Sequence, residues 1–135
     1  LLGEIRAAAA AATVKVTVNA CVGNMARFLK VVDLLISTAG VTAWEAAFLS
    51  TPMMLGTVGP QEEALARRLA EVGGCIYLGP FELLDDAAFA TQVHALVQDR
   101  PARAALASAC SGLIDGRGAE RVVEVMTRET ALVPC

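Results

Sequence analysis

The stretch from Asp33 to Glu45 constrains this chain more than any other. Leu34 to Ile36 form an apolar run with the content of a buried parallel strand. A small-residue turn follows and ends in Gly40. Thr42 is then placed to cap a helix whose first turn carries Glu45. A strand that feeds a helix through a glycine turn aims free backbone N–H groups at one point, and such a point suits a phosphate group. Glu45 lies about one helical turn in, where a carboxylate can accept hydrogen bonds from a ribose diol. The stretch reads as half of a nucleotide-sugar site.

The same grammar recurs along the chain. Leu1-Leu2-Gly3 resembles the tail of a strand, and residues 4–12 read as an alanine-rich helix. Val14, Val16 and Val18 alternate with Thr13, Lys15 and Thr17, which predicts a half-covered strand over 13–19. Asn24 can cap a helix through Met25, Phe28, Leu29 and Val32. Strand 34–37 leads to helix 42–50, strand 53–55 to helix 61–72, and strand 75–78 closes the alternating part. Helix 61–72 carries Gln61, Glu62 and Glu63 at its positive end and Arg67 and Arg68 later, as the helix dipole favours. Three helices follow, over 85–98, 101–113 and 119–130. The pair Asp85-Asp86 starts the first, Pro101 opens the second, and Asp115 to Gly118 turn the chain before the third. The tail Val133-Pro134-Cys135 is expected to be loose.

Strands that alternate with helices predict an α/β fold: a parallel sheet with helices on both faces. Right-handed crossovers would bring the loops 19–24, 37–42 and 56–61 to one sheet edge, where open α/β sheets bind their ligands.

With 135 residues the chain suits a single domain, 1–135, with a sizeable core. It is 56% hydrophobic and 19% charged, which excludes disorder. Its net charge of −3 and lack of a basic cluster argue against a nucleic-acid partner held by its phosphates. No apolar run reaches the roughly 18–20 residues of a membrane helix, and nothing at the N-terminus resembles a signal peptide. Cys21, Cys75, Cys110 and Cys135 are widely spaced, as expected of reduced thiols in a cytoplasmic protein. Scattered thiols and a single His cannot build a zinc site, and nothing in the chain requires a metal or a cofactor.

Asn24-Met25-Ala26, Asp33 to Ile36, Ala39-Gly40, Thr42, Trp44-Glu45 and Pro52, taken in order, resemble the C-terminal domain of GT-B glycosyltransferases. The nearest branch is the nucleotide-sugar hydrolase of pseudaminic-acid biosynthesis together with the spore-coat polysaccharide glycosyltransferases, all bacterial. Leu69 to Gly73, Tyr77-Leu78-Gly79 and the segment Asp115 to Val123 strengthen the likeness, which covers roughly 13–125. The resemblance implies a Rossmann-like donor half. It would place a UDP-sugar with its diphosphate at Gly40, Val41 and Thr42, its ribose on Glu45, its uracil beside Asn24 and Met25, and its sugar or diphosphate facing Gln61. It assigns no catalytic residue to this half, because the acceptor site and usual base belong to an N-terminal domain. Where the family usually has Gly-Gly-Ser, this chain has Ala39-Gly40-Val41, with one hydroxyl donor fewer; Pro60 before Gln61 offers no N–H.

The chain opens on Leu1 rather than Met, so a fragment or trimmed piece is expected, lacking the acceptor domain and the first strand and helix of the donor half. That loss predicts exposed strand edges and a homodimer, or strands 13–19 and 34–37 forced together. The functional expectation is the UDP-sugar-binding half of a transferase or hydrolase in surface-polysaccharide or nonulosonic-acid biosynthesis, inactive alone. The alternative is a non-catalytic module or relic that self-associates. A dinucleotide enzyme is disfavoured, since no G-x-G-x-x-G follows a strand. Trp44 is read as a packing residue, His94 as structural or on the surface, and Cys21 as unreactive for want of a base.

Overall fold

A computed structural model describes residues 1–130. Its elements are α1 (Leu2–Ala11), α2 (Met25–Leu29), β1 (Leu35–Thr38), α3 (Val41–Phe48), β2 (Met53–Thr57), α4 (Pro60–Glu71), β3 (Ile76–Pro80), a 3₁₀ turn (Phe81–Leu83), α5 (Asp86–Gln98), α6 (Arg100–Cys110) and α7 (Gly118–Thr130). The three strands form one parallel sheet in the order β1-β2-β3. It is flanked by helices in a Rossmann-like α/β arrangement, as the alternating pattern predicts. The tail 133–135 lies outside the described residues.

Strand alternation sorts the sheet into two faces. Leu35, Met53, Leu55, Cys75 and Tyr77 point to the face that packs with Ala43, Ala46 and Ala47 of α3 and Ala66 and Leu69 of α4. Small alanines let α3 lie close to the strands. On the other face Phe81 covers Gly56, and Ile76 shares a groove with Gln92, Ala95 and Leu96 of α5. All five residues of β2 are buried. Residue 50 ends α3 in the left-handed region (Ser50, φ 54°). There Thr51 N–H reaches back to Ala46 O at 2.9 Å and Ser50 N–H to Ala47 O at 3.1 Å, the paired bonds of a Schellman turn. The buried Thr51 hydroxyl donates to Leu29 O at 2.9 Å and so fastens the end of α2 to the entry of β2.

The caps follow the sequence in part. Asn24 accepts from Arg27 N–H at 3.1 Å and Asp85 from Ala88 N–H at 2.8 Å, as expected; Asp99 does the same for Ala102 at 2.8 Å.

Four expectations are corrected. No strand forms over 13–19: the segment is coil, with Val14 and Val16 exposed. β-Propensity measures fit to a half-buried pleated surface, and among the described residues this segment has no sheet neighbour to supply one. Leu2 and Gly3 belong to α1 rather than to a strand. Thr42 does not cap α3: the helix starts one residue earlier, with an extended Gly40 at the N-cap and no capping side chain. Trp44 is 49% exposed rather than packed.

The expected pairing of 13–19 with 34–37 is therefore not realised, and β1 has no strand on its outer side among the described residues. The accessible surface is 9508 Å². A compact 14.0 kDa monomer would expose about 6,700 Å². Apolar side chains stand exposed: Val41, Trp44 and Phe48 on α3, Val122 and Val125 on α7, and Val31 just after α2.

Candidate functional site at the carboxyl edge of the sheet

Parallel strands place their carboxyl ends on one edge, and two of the three expected loops meet there. The first is the turn Ala39-Gly40 after β1. Ala39 N–H donates to Gly56 O at 3.1 Å, which pins the turn to β2, and Ala43 N–H closes the first helical bond to Gly40 O at 3.1 Å. The amides of Val41 and Thr42 find no acceptor among the described residues. They are the orphan donors that every helix start leaves. The second is the turn Val58-Gly59 after β2, from which α4 departs at Pro60.

Glu62 joins the two turns. One carboxylate oxygen accepts from Val58 N–H at 2.8 Å. The other lies 3.8 Å from where a Cβ on Gly40 would sit, beside the Thr38 hydroxyl at 3.7 Å from the same point. A side chain that the sequence presents only as a helix-dipole acid thus stands next to the start of α3. Two further carboxylates, Glu63 and Glu82, stand at this edge. Glu63 is held by Arg67 through Nε at 2.9 Å and Nη2 at 2.6 Å, and the Arg67 guanidinium lies over the Tyr77 ring, 5.2 Å from its centroid. Glu82 makes no ion pair among the described residues.

The other residues singled out by sequence fall as follows. Glu45 is exposed on the second turn of α3, and its carboxylate makes no hydrogen bond among the described residues. Gln61 is exposed at the start of α4, its side-chain oxygen 3.0 Å from the position of a Cβ on Gly59. Asn24 lines a groove of about 390 Å³ with Arg27, Phe28 and Val31, and Met25 opens the same helix. Because no strand precedes it, the loop 19–24 is not the strand-end loop expected. His94 and Cys21 are on the surface. No group of three or more His, Cys, Asp or Glu side chains suited to a metal occurs among the described residues.

Sequence reasoning passed over a cavity of about 300 Å³ between the ends of β2 and β3, lined by Thr57, Val58, Gly59, Pro60, Glu63 and Glu82, with Pro80 beside them. Its residues lie up to 25 positions apart, and only the parallel register brings them together.

No known family profile matches the chain. It is similar to the spore coat polysaccharide biosynthesis protein SpsG of Bacillus subtilis (strain 168), with 27% identity over 103 residues. The chain is a distant relative of that protein. The match takes in 76% of this chain and 30% of SpsG, so the chain spans about a third of the relative's length. Among the described residues no helix is long and apolar enough to cross a membrane.

Proposed function

We propose that the chain is the sugar-nucleotide-binding half of a glycosyltransferase or nucleotide-sugar hydrolase of polysaccharide biosynthesis, built like the C-terminal domain of the GT-B enzymes. The observation that carries this reading is the glycine turn at Gly40, pinned to β2 and followed by an uncapped helix with two free amides. A diphosphate there would satisfy the amides of Val41 and Thr42 and meet the positive end of α3. Glu45 would take the ribose diol, Asn24 and Met25 would border the uracil, and Gln61 would face the sugar. The distant relationship to SpsG supports the polysaccharide context. In this role the half holds the leaving group and positions it, and it does not turn over substrate alone. Glu62 must swing away or be neutralised for the diphosphate to enter.

Calorimetric titration of UDP and UDP-N-acetylglucosamine tests the reading. Binding is expected, and Glu45→Ala should weaken it by about 1–3 kcal/mol, the scale of a lost hydrogen bond to a charged group. Absence of heat at millimolar ligand would sink the donor-site assignment.

A second reading, a non-catalytic module that self-associates, draws on the open outer side of β1 and on the exposed apolar side chains of α3 and α7. It expects light scattering to return a dimer that does not respond to UDP. A monodisperse monomer at every concentration would rule it out.

A further inference from the structure

We propose that the cavity between the carboxyl ends of β2 and β3 is a binding site for a small hydroxylated amine of the amino-sugar class, distinct from the diphosphate position at Gly40. Thr57 supplies the first argument. It is 3% exposed, yet its hydroxyl has no hydrogen-bond partner among the described residues. Tyr77 Oη is the one buried side-chain polar atom there that is both sealed from solvent and unpartnered. The Thr57 hydroxyl is therefore not wholly sealed, and Thr57 lines the cavity. A buried hydroxyl without a partner is unfavourable unless water or a ligand completes it.

The second argument is the chemistry of the rim. Both bonds from Arg67 go to Oε1 of Glu63, which leaves Oε2 with its acceptor capacity. Glu82 has no hydrogen bond or ion pair among the described residues, so one negative charge is uncompensated. The cavity thus offers carboxylate acceptors and one hydroxyl, and no basic side chain lines it. Such a lining repels phosphate and carboxylate ligands. It matches a protonated amine that also carries hydroxyl donors. Val58, Pro60 and Pro80 give apolar walls for the C–H faces of a ring. At about 300 Å³ the space lies at the small end of ligand pockets.

The test is an NMR titration of the whole chain with glucosamine, with glucose and N-acetylglucosamine as uncharged controls. Saturating amide shifts at Thr57, Val58 and Gly59 are expected with glucosamine. Glu82→Gln, an exposed and conservative change, should weaken binding about tenfold, as should each uncharged sugar, the scale of a lost charge-assisted bond. Thr57→Val, which keeps the shape and removes the hydroxyl, should weaken it similarly, with the amide spectrum reporting an intact fold. If glucose and glucosamine bind alike, if Glu82→Gln has no effect, or if no shift saturates, the assignment is wrong. None of these outcomes depends on whether UDP binds.

Discussion

Replacing Gly56 by alanine is expected to remove about 2–3 kcal/mol of folding free energy, the upper part of the range for an overpacked interior. A Cβ at this position would lie 2.5 Å from both Cε1 and Cζ of Phe81 and 2.7 Å from Cδ1, closer than carbon atoms approach without displacement. The backbone cannot yield, because Gly56 is paired with Thr38 of β1 on one side and Gly79 of β3 on the other. The Phe81 ring must therefore leave its place over the strand, uncovering part of the second face. Urea unfolding measures the loss, and Phe81→Leu in the same chain should restore part of it. A coupling energy of about 1 kcal/mol or more between the two changes is the signature of direct contact. If Gly56→Ala unfolds like the parent chain, the packing of Phe81 on β2 is wrong.

Alkaline pH should produce the second large effect. Burial, and to a smaller degree the neighbouring Cys110, pushes the Cys75 thiol from 9.0 up to about 11. Burial raises Cys110 as well. Both thiols are buried and directed at carbonyls, Cys75 at Ala66 O at 3.6 Å and Cys110 at Gly74 O at 3.3 Å. Below pH 9 each thiol is neutral in the folded and the unfolded chain, so stability does not depend on it. Between pH 9 and 11 the unfolded chain gives up the Cys75 proton while the folded chain keeps it, and stability falls as pH rises. A rise from 9.0 to about 11 corresponds to a total loss of about 2–3 kcal/mol at 1.36 kcal/mol per unit. Unfolding curves at pH 8 and pH 11 should show that loss in the parent chain and a smaller one in Cys75→Ala. Equal losses in the two would mean that Cys75 titrates as freely as an exposed thiol.

The sheet was legible because Leu34 to Ile36, Met53 to Leu55 and Cys75 to Leu78 are apolar runs of strand length closed by glycine or proline, a signal that depends on few neighbours. α4 to α7 were legible for a similar reason, with Gly73, Pro101 and Asp115 to Gly118 marking their limits. Residues 13–19 defeat the same reasoning. Their period of two is as clear as any in the chain, yet a strand needs an adjacent edge, and adjacency is a property of the fold. Thr42 shows how narrow the margin is at a helix start: Gly40 takes the cap position, and the threonine falls two residues inside. Of the candidate site, Gly40 and the two turns could be placed from local sequence. Glu62 beside Gly40, and Thr57 and Glu82 around one cavity, could not, because each pairing spans a crossover and depends on register.

β2 and α1 stand at opposite extremes of protection. Every residue of β2 is buried and has a strand on both sides, whereas α1 buries none of its ten residues. A helix of that length without tertiary support is marginal in water. Amide protons in α1 are thus free to exchange through local fraying, while those of Met54 and Leu55 wait for the whole molecule to open. The opening energy of this chain is accordingly graded from its first helix to its middle strand, and the two turns at the carboxyl edge hang from the most persistent part.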